Sequence, residues 1–220
     1  AIAVEKIKPI GKIKSEYIVF SPNELLMFEW VAQYYHYPLG QLIFDCTPKL
    51  MKRPKKISPI NKQTSPKKIT RTDEQEAIVA AIRESGFNKF TKSLISGITG
   101  SGKSIIYLAA MEDVLKNGKS VVYLLPEINL TAQFLKFFDE HLSFPIYLYH
   151  SGLTDSERFF LWKQVKEDPS PKVIIGARSA IFLPMEKLGL IVIDEEHDQS
   201  YKQDDRCTYN ARDVAVRKAQ

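Results

Sequence analysis

The chain has 220 residues, 44% of them hydrophobic, which is enough for one full domain and a smaller piece of an ordinary globular protein. It contains no run of 18 apolar residues, which excludes a membrane-spanning helix, and its first fourteen residues lack the apolar centre of a signal peptide. Cys46 and Cys207 stand 161 positions apart with no C-x-x-C pair, so neither a disulfide framework nor a four-cysteine zinc site can be built, and a reducing cytoplasm is expected.

Residues 1–50 form a small aromatic-rich piece. A short extended run at 17–20 precedes Ser21-Pro22-Asn23-Glu24, a capping box with proline at the first helical position. The helix that follows is apolar at Leu25, Leu26, Phe28, Val31, Ala32 and Tyr35. Fifty residues are too few for a secure independent core, so this piece requires a partner surface. Residues 51–71 hold eight Lys and Arg, no acid, and Pro54, Pro59 and Pro66. With a net charge of +5 for the whole chain, everything outside this block sums to −3, so the block rather than the overall charge is the nucleic-acid signal. It reads as a linker, either solvated or in contact with phosphate.

From residue 72 onward the chain alternates. Apolar runs at 93–96, 121–125, 146–149, 173–175 and 190–193 predict strands, with helical patterns between them. Phe134, Phe138 and Leu142 share one helix face. Thr154-Asp155-Ser156-Glu157 is a second capping box, opening a helix with Phe159, Leu161, Trp162 and Val165. Phe134, Phe138, Phe159 and Trp162 read as core. Continuous apolar strands alternating with helices predict a parallel sheet covered on both faces.

Gly97-Ile98-Thr99-Gly100-Ser101-Gly102-Lys103-Ser104 fits G-x-x-x-x-G-K-[ST] between a predicted strand and a helix over 105–116 that Gly118 stops. The glycines let backbone N–H groups turn toward phosphates, and the helix N-terminus adds positive potential. Lys103 is expected on the β- and γ-phosphates and Ser104 on Mg²⁺. The strand at 190–193 runs into Asp194-Glu195-Glu196-His197 at the carboxyl edge of the sheet, where α/β folds bind ligands. Asp194 is expected to hold Mg²⁺ through water, and Glu195 to orient and deprotonate the attacking water. Together these motifs predict a RecA-like P-loop NTPase lobe over 72–220 that hydrolyses a nucleoside triphosphate with Mg²⁺. They leave open what hydrolysis drives.

The set of motifs resembles the PriA-type replication-restart DNA helicases of superfamily 2. The phosphate loop is similar to that family's GxTGSGKT, with Ser104 in place of Thr. The stretch from Leu125 and Pro126 through Glu127-Ile128-Asn129-Leu130-Thr131 resembles its motif Ia. His150-Ser151-Gly152-Leu153 followed by Ser156-Glu157-Arg158 is similar to the next motif. Gly176-Ala177-Arg178-Ser179-Ala180-Ile181-Phe182 resembles GTRSAxF, with Ala177 where Thr is usual. Asp194-Glu195-Glu196-His197-Asp198, Ser200-Tyr201-Lys202-Gln203 and Tyr209-Asn210-Ala211-Arg212-Asp213 resemble its acidic box and aromatic-rich loop. More weakly, Trp30, Ala32, Tyr34-Tyr35-His36 and Pro38-Leu39-Gly40 resemble the end of the family's N-terminal domain, which binds the 3′ end of a leading strand. The winged-helix domain usual after that is replaced here by the basic stretch 51–71.

The resemblance implies ATP-driven 3′→5′ translocation and unwinding at stalled forks during primosome assembly and replication restart. It implies single-stranded and forked DNA, helicase-loader proteins and single-stranded DNA-binding protein as partners, a bacterial cytoplasmic, nucleoid-associated location, no membrane, and a zinc site outside this chain. The arginine finger comes from a second lobe in this family, so the chain alone is expected to bind ATP–Mg²⁺ and hydrolyse it poorly. Implied DNA contacts are Lys8, Pro126, Thr131, Gly176, Arg178, Ser179, Tyr201, Lys202, Gln203, Tyr209 and Arg212; the bland reading of the last five is a surface loop with half-buried tyrosines. His197 is implied to link the nucleotide and DNA sides. Gln75 resembles the adenine-reading glutamine, yet Thr72-Asp73-Glu74-Gln75 equally makes it a cap. Another superfamily 2 translocase, or a non-catalytic DNA- or primosome-binding fragment, is the alternative.

Overall fold

Four of the five predicted strands form one parallel sheet. The computed structural model describes residues 20–49, 54–60, 66–86, 89–98, 100–126 and 129–220. Lys8, Thr99 and most of the run at 17–20 lie outside them. The strands β1 (Ser120–Leu124), β2 (Ile146–Tyr149), β3 (Val173–Gly176) and β4 (Leu188–Ile193) stand in the order β2-β3-β1-β4. Val122 of β1 pairs with Ile174 of β3 and Ile191 of β4, and Leu148 of β2 with Ile175 of β3. Successive side chains of a strand point to opposite faces, so a sheet buried on both sides reads as an unbroken apolar run. Val121, Tyr123 and Leu125 enter one core and Val122 and Leu124 the other.

The first face is covered by α4 (Lys103–Lys116), through Leu108, Met111, Val114 and Leu115, and by α5 (Ala132–His141), through Phe138. The second is covered by α6 (Asp155–Glu167), through Phe159, Leu161, Trp162 and Val165, and by α7 (Ala211–Ala219). Predicted helix starts are present as caps. Thr154 and Glu157 form the reciprocal pair at α6, and Thr131 accepts from Phe134 N at α5.

The fifth predicted strand does not join. Residues 93–96 make no ladder with the sheet, and Leu94 is 79% exposed. Ile95 packs instead with Val79 of α3 (Asp73–Ser85) and Ile106 and Ala109 of α4. β4 is therefore a sheet edge, and most of its residues are only half buried.

The N-terminal piece finds its partner surface in the lobe. The Ser21–Glu24 capping box opens α1 (Pro22–Tyr34), and α2 (Leu39–Cys46) follows. Phe28, fully buried, stacks on Phe182 at 5.6 Å, and Phe182 meets Tyr209 edge-on at 5.0 Å. The Tyr35 hydroxyl donates to Asp213 Oδ2 at 2.8 Å and accepts from Asn210 N at 3.0 Å. The inward face of α1 is Met27, Phe28, Val31 and Ala32; Leu25 and Leu26 point to solvent, contrary to expectation. Docking on the aromatic cluster at Phe182 sets the angle of the helix, and at 100° per residue those two leucines fall off that face.

The basic stretch is expected as a linker, solvated or in contact with phosphate. Its described residues form a strap bound along the lobe. Ile60 N donates to the Ile146 carbonyl of edge strand β2 at 2.8 Å, and Lys67 N to Glu140 O at 2.8 Å. Ile57, Ile60 and Ile69 pack on the two cores. Lys55 pairs with Glu157 at 2.6 Å, Lys67 with Glu140 at 3.1 Å, and Arg71 with Glu76. Lys55, Lys67 and Arg71, three of the candidates for phosphate, are engaged with the lobe's own carboxylates.

Candidate nucleotide site and nucleic-acid interface

Gly100 and Gly102 adopt φ of +83° and +81°, left-handed values open to glycine at little cost. Gly102 is the N-cap of α4 and brings no side-chain cap; Ile105 N donates to Gly102 O at 2.9 Å, and the N–H groups of Lys103 and Ser104 are the ones turned to an anion. Lys103 Nζ folds back onto the loop, donating to Gly97 O at 2.6 Å and Ile98 O at 3.0 Å. The loop thus places a cation, free amides and a helix N-terminus together, and this donor set fits a polyphosphate. Ser104 follows at the second position of α4, and Ser101 N donates to Ile98 O.

Gln75 takes the cap that its spacing predicted and adds a second link. Its Oε1 accepts from Thr72 N at 3.1 Å, and its Nε2 donates to Ser101 O at 3.4 Å. A Cβ at Gly102 would collide with this amide, so glycine is required there twice over.

Asp194 is held from four sides. Its N–H donates to Leu124 O at 2.9 Å, and its carbonyl accepts from the Tyr201 hydroxyl at 2.5 Å. Its Oδ2 accepts from the Tyr123 hydroxyl at 2.9 Å, and its Oδ1 from Glu195 N at 3.1 Å. Tyr107, one turn into α4, lies edge-on to Tyr123 at 6.0 Å. The phosphate-loop helix and the acidic box are therefore joined through two tyrosines. Burial, reinforced by the Asp194 charge, pushes the Tyr123 phenol well up and the Tyr107 phenol to about 12, so both remain protonated donors at neutral pH. Glu195 sits at φ +48°, and its Oε2 accepts from Asn129 Nδ2 at 2.9 Å. His197 is exposed on the same loop. Among the described residues no three or more His, Cys, Asp or Glu are arranged to hold a metal ion by themselves, so a Mg²⁺ at Asp194 and Ser104 would depend on phosphate and water for its remaining ligands.

Several residues implied as DNA contacts are placed otherwise. Tyr201 and Tyr209 are 1% and 6% exposed, so neither ring offers a face to a base. Tyr201 pins the loop after the acidic box, its hydroxyl bridging Asp194 O and Leu124 O. Tyr209 packs under Phe182, where the N-terminal piece docks. Pro126 is buried, and so is Gly176, where a Cβ would collide with the Tyr149 carbonyl. Arg178 donates to the carbonyls of Ser200 and Lys202, and Arg212 pairs with Glu196 at 3.0 Å. The Thr131 hydroxyl caps α5. Lys202 is exposed, with Asp204 at 2.9 Å, while Gln203 and Ser179 are half exposed.

Tyr123 and Asn129 hold the two carboxylates and were not singled out in the sequence. A hydroxyl inside the apolar run at 121–125 is a signal that a buried partner exists. Asn129 lay within a recognised motif, but nothing in its spacing named Glu195 as its acceptor.

The family model of the DEAD/DEAH box helicases matches residues 72–219, and that of the PriA 3′DNA-binding domain matches residues 1–48. The chain is 40% identical over 193 residues to the replication restart protein PriA of Rickettsia felis, covering 87% of this chain and 29% of that one. It is 41% identical over 160 residues to that of Bacillus subtilis (72% and 20%), and 46% over 136 residues to that of Haemophilus influenzae (62% and 18%). The chain spans about a third or less of the length of these relatives. With a matching model over more than half of its residues, the chain belongs to the DEAD/DEAH box helicase family.

Proposed function

We propose that this chain is the ATP-binding lobe, with part of a DNA-binding module, of a 3′→5′ DNA helicase acting at stalled forks in primosome assembly and replication restart. The observation that carries the reading is the link from the phosphate-loop helix through Tyr107 and Tyr123 to Asp194. The relatives' printed name, replication restart protein, supports the biological setting.

In this reading residues 97–104 receive the triphosphate, Lys103 leaving its two carbonyls for phosphate oxygens. Ser104 and Asp194 would hold Mg²⁺, which supplies charge neutralisation across the phosphates when bound. Glu195 orients the attacking water and takes its proton, and phosphoryl transfer is then mostly positioning and charge stabilisation. His197 relays between the nucleotide and DNA sides, and Gln75 tunes the loop through Ser101. Single-stranded DNA passes over the carboxyl edge of the sheet, met by Thr131, Arg178, Ser179, Lys202, Gln203 and Arg212. Residues 1–50 form the end of a 3′-end-binding module and 51–71 the basic linker between the two parts. Helicase loaders and single-stranded DNA-binding protein are the partners in a bacterial, nucleoid-associated setting.

The test is DNA-stimulated ATP hydrolysis by the protein as its gene encodes it. Lys103→Ala should weaken nucleotide binding and abolish stimulated turnover; an unchanged affinity or surviving stimulated turnover contradicts the motor.

A further inference from the structure

The loop that follows the acidic box turns once as a 3₁₀ helix, Gln199–Tyr201. A single turn cannot bond its own last carbonyls, so a helix this short depends on outside partners at both ends. Asp198 serves the first end, its Oδ1 accepting from Ser200 N at 2.7 Å. Arg178 serves the second, its Nη1 donating to Ser200 O at 3.0 Å and to Lys202 O at 2.8 Å. The arginine comes from another part of the sheet. It follows β3 directly, and β1 stands between β3 and β4. Arg178 therefore reaches over the carboxyl end of β1 to hold the loop that leaves β4.

The two carbonyls it holds flank Tyr201. That residue is 1% exposed, and its hydroxyl bridges Leu124 O at 3.0 Å and Asp194 O at 2.5 Å. A tyrosine side chain sits in one of few rotamers, so the backbone on either side of it decides where the hydroxyl lands. We infer that Arg178 is a positioning residue for the acidic box: by fixing the carbonyls on both sides of Tyr201 it aims that hydroxyl at the Asp194 backbone, and so sets the carboxylate that would receive Mg²⁺. This rests on the nucleotide-site reading above. Arg212 also holds the loop, through Glu196 O at 2.9 Å, but ahead of the turn that carries Tyr201. Only Nη1 of Arg178 is committed to the carbonyls, so the role is separate from any contact that the rest of the guanidinium makes with nucleic acid.

The experiment uses the protein as its gene encodes it and reads the affinity for a fluorescent ATP analogue as Mg²⁺ is raised. Arg178→Met keeps the apolar stem and removes the donor. It should raise the half-saturating Mg²⁺ about tenfold, the low end for losing a group that orients a ligand, and leave metal-free affinity unchanged. Arg178→Lys, whose ammonium can donate to both carbonyls, should fall between the two. Tyr201→Phe should show the same loss as Arg178→Met. The double variant should lose no more than Tyr201→Phe alone, because residues acting through one contact are not additive. A Mg²⁺ response in Arg178→Met equal to that of the unsubstituted protein overturns the proposal, even if DNA binding or the melting temperature falls. So does a double variant in which the two losses multiply. Where Arg178→Met does not fold, the same cycle is run with Arg178→Lys, and a partial loss that persists in full beside Tyr201→Phe is the contrary result. Failure of the underlying reading has a separate signature, in which the unsubstituted protein gains no affinity from Mg²⁺ at all.

Discussion

Tyr123→Phe removes one oxygen from the centre of the sheet and little else. The ring neighbours, Tyr107 at 6.0 Å, Phe134 at 5.6 Å and Phe138 at 5.4 Å, keep their partner, because Phe has the same shape. What disappears is the donor to Asp194 Oδ2 at 2.9 Å, and the position is fully buried, so water cannot replace it. A hydrogen bond to a charged acceptor contributes about 1.5–3 kcal/mol. In a chain of this size each kcal/mol moves the melting temperature by about 2–4 °C, so a fall of roughly 3–12 °C is expected by calorimetry. The second effect is on the metal. Removing the partner that orients a ligating carboxylate typically costs about 10–100-fold in metal affinity. Binding of a fluorescent ATP analogue, titrated against Mg²⁺, should show the half-saturating Mg²⁺ rising about tenfold while metal-free nucleotide affinity stays constant. An unchanged melting temperature with an unchanged Mg²⁺ dependence would refute the reasoning, since the hydroxyl would then be holding nothing.

Three more predictions follow from the packing and charge. Phe28→Ala opens a cavity between α1 and Phe182 and should cost about 3–5 kcal/mol, with faster proteolysis near residue 35 as the N-terminal piece undocks; unchanged cleavage would mean that the stacking does not hold it. Tyr201→Phe leaves the Asp194 carbonyl without its hydroxyl donor and should destabilise the lobe by about 1–3 kcal/mol in a urea titration; a DNA-contact role would instead weaken DNA binding at constant stability. Chiefly Lys55, helped by the Thr154 cap, holds the Glu157 carboxyl at about 2 against an ordinary 4.5. A folded value below the unfolded one means that the unfolded chain binds the proton first, so stability is complete above 4.5 and lost as pH falls toward 2. Lys55→Ala should flatten that loss in an acid titration followed by circular dichroism, and an unchanged profile would remove the strap contact from the account.

Where local chemistry and global fold agree, the sequence was readable. The capping boxes at Ser21, Thr72 and Thr154 fixed helix starts because the reciprocal bonds form within four residues. The strands at 121–125 and 173–175 were legible because burial on both faces leaves a continuous apolar run. The stretch at 93–96 shows the same composition but takes its burial from α3 and α4, which no periodicity reveals. The strap was not legible because composition reports like charge, whereas the acids that Lys67 and Lys55 meet, Glu140 and Glu157, lie 73 and 102 positions away. Tyr201 and Tyr209 misled for a related reason. Aromatics beside lysines suggest base stacking, but a loop that must present Glu195 at a left-handed φ also needs anchors, and tyrosine supplies both an apolar body and a hydroxyl. Partners distant in sequence, such as Tyr123 for Asp194, are set by topology rather than by spacing.

The central claim is that the phosphate loop and the acidic box act on a single nucleotide–metal complex. A double-mutant cycle of Lys103→Ala and Asp194→Asn, read as the affinity for an ATP analogue in saturating Mg²⁺, tests it most directly. Groups that share one ligand should be non-additive, with a coupling of about 0.5–3 kcal/mol, and Asp194→Asn alone should erase the gain that Mg²⁺ gives to binding. Additive effects, or a Mg²⁺ gain that survives Asp194→Asn, would contradict it.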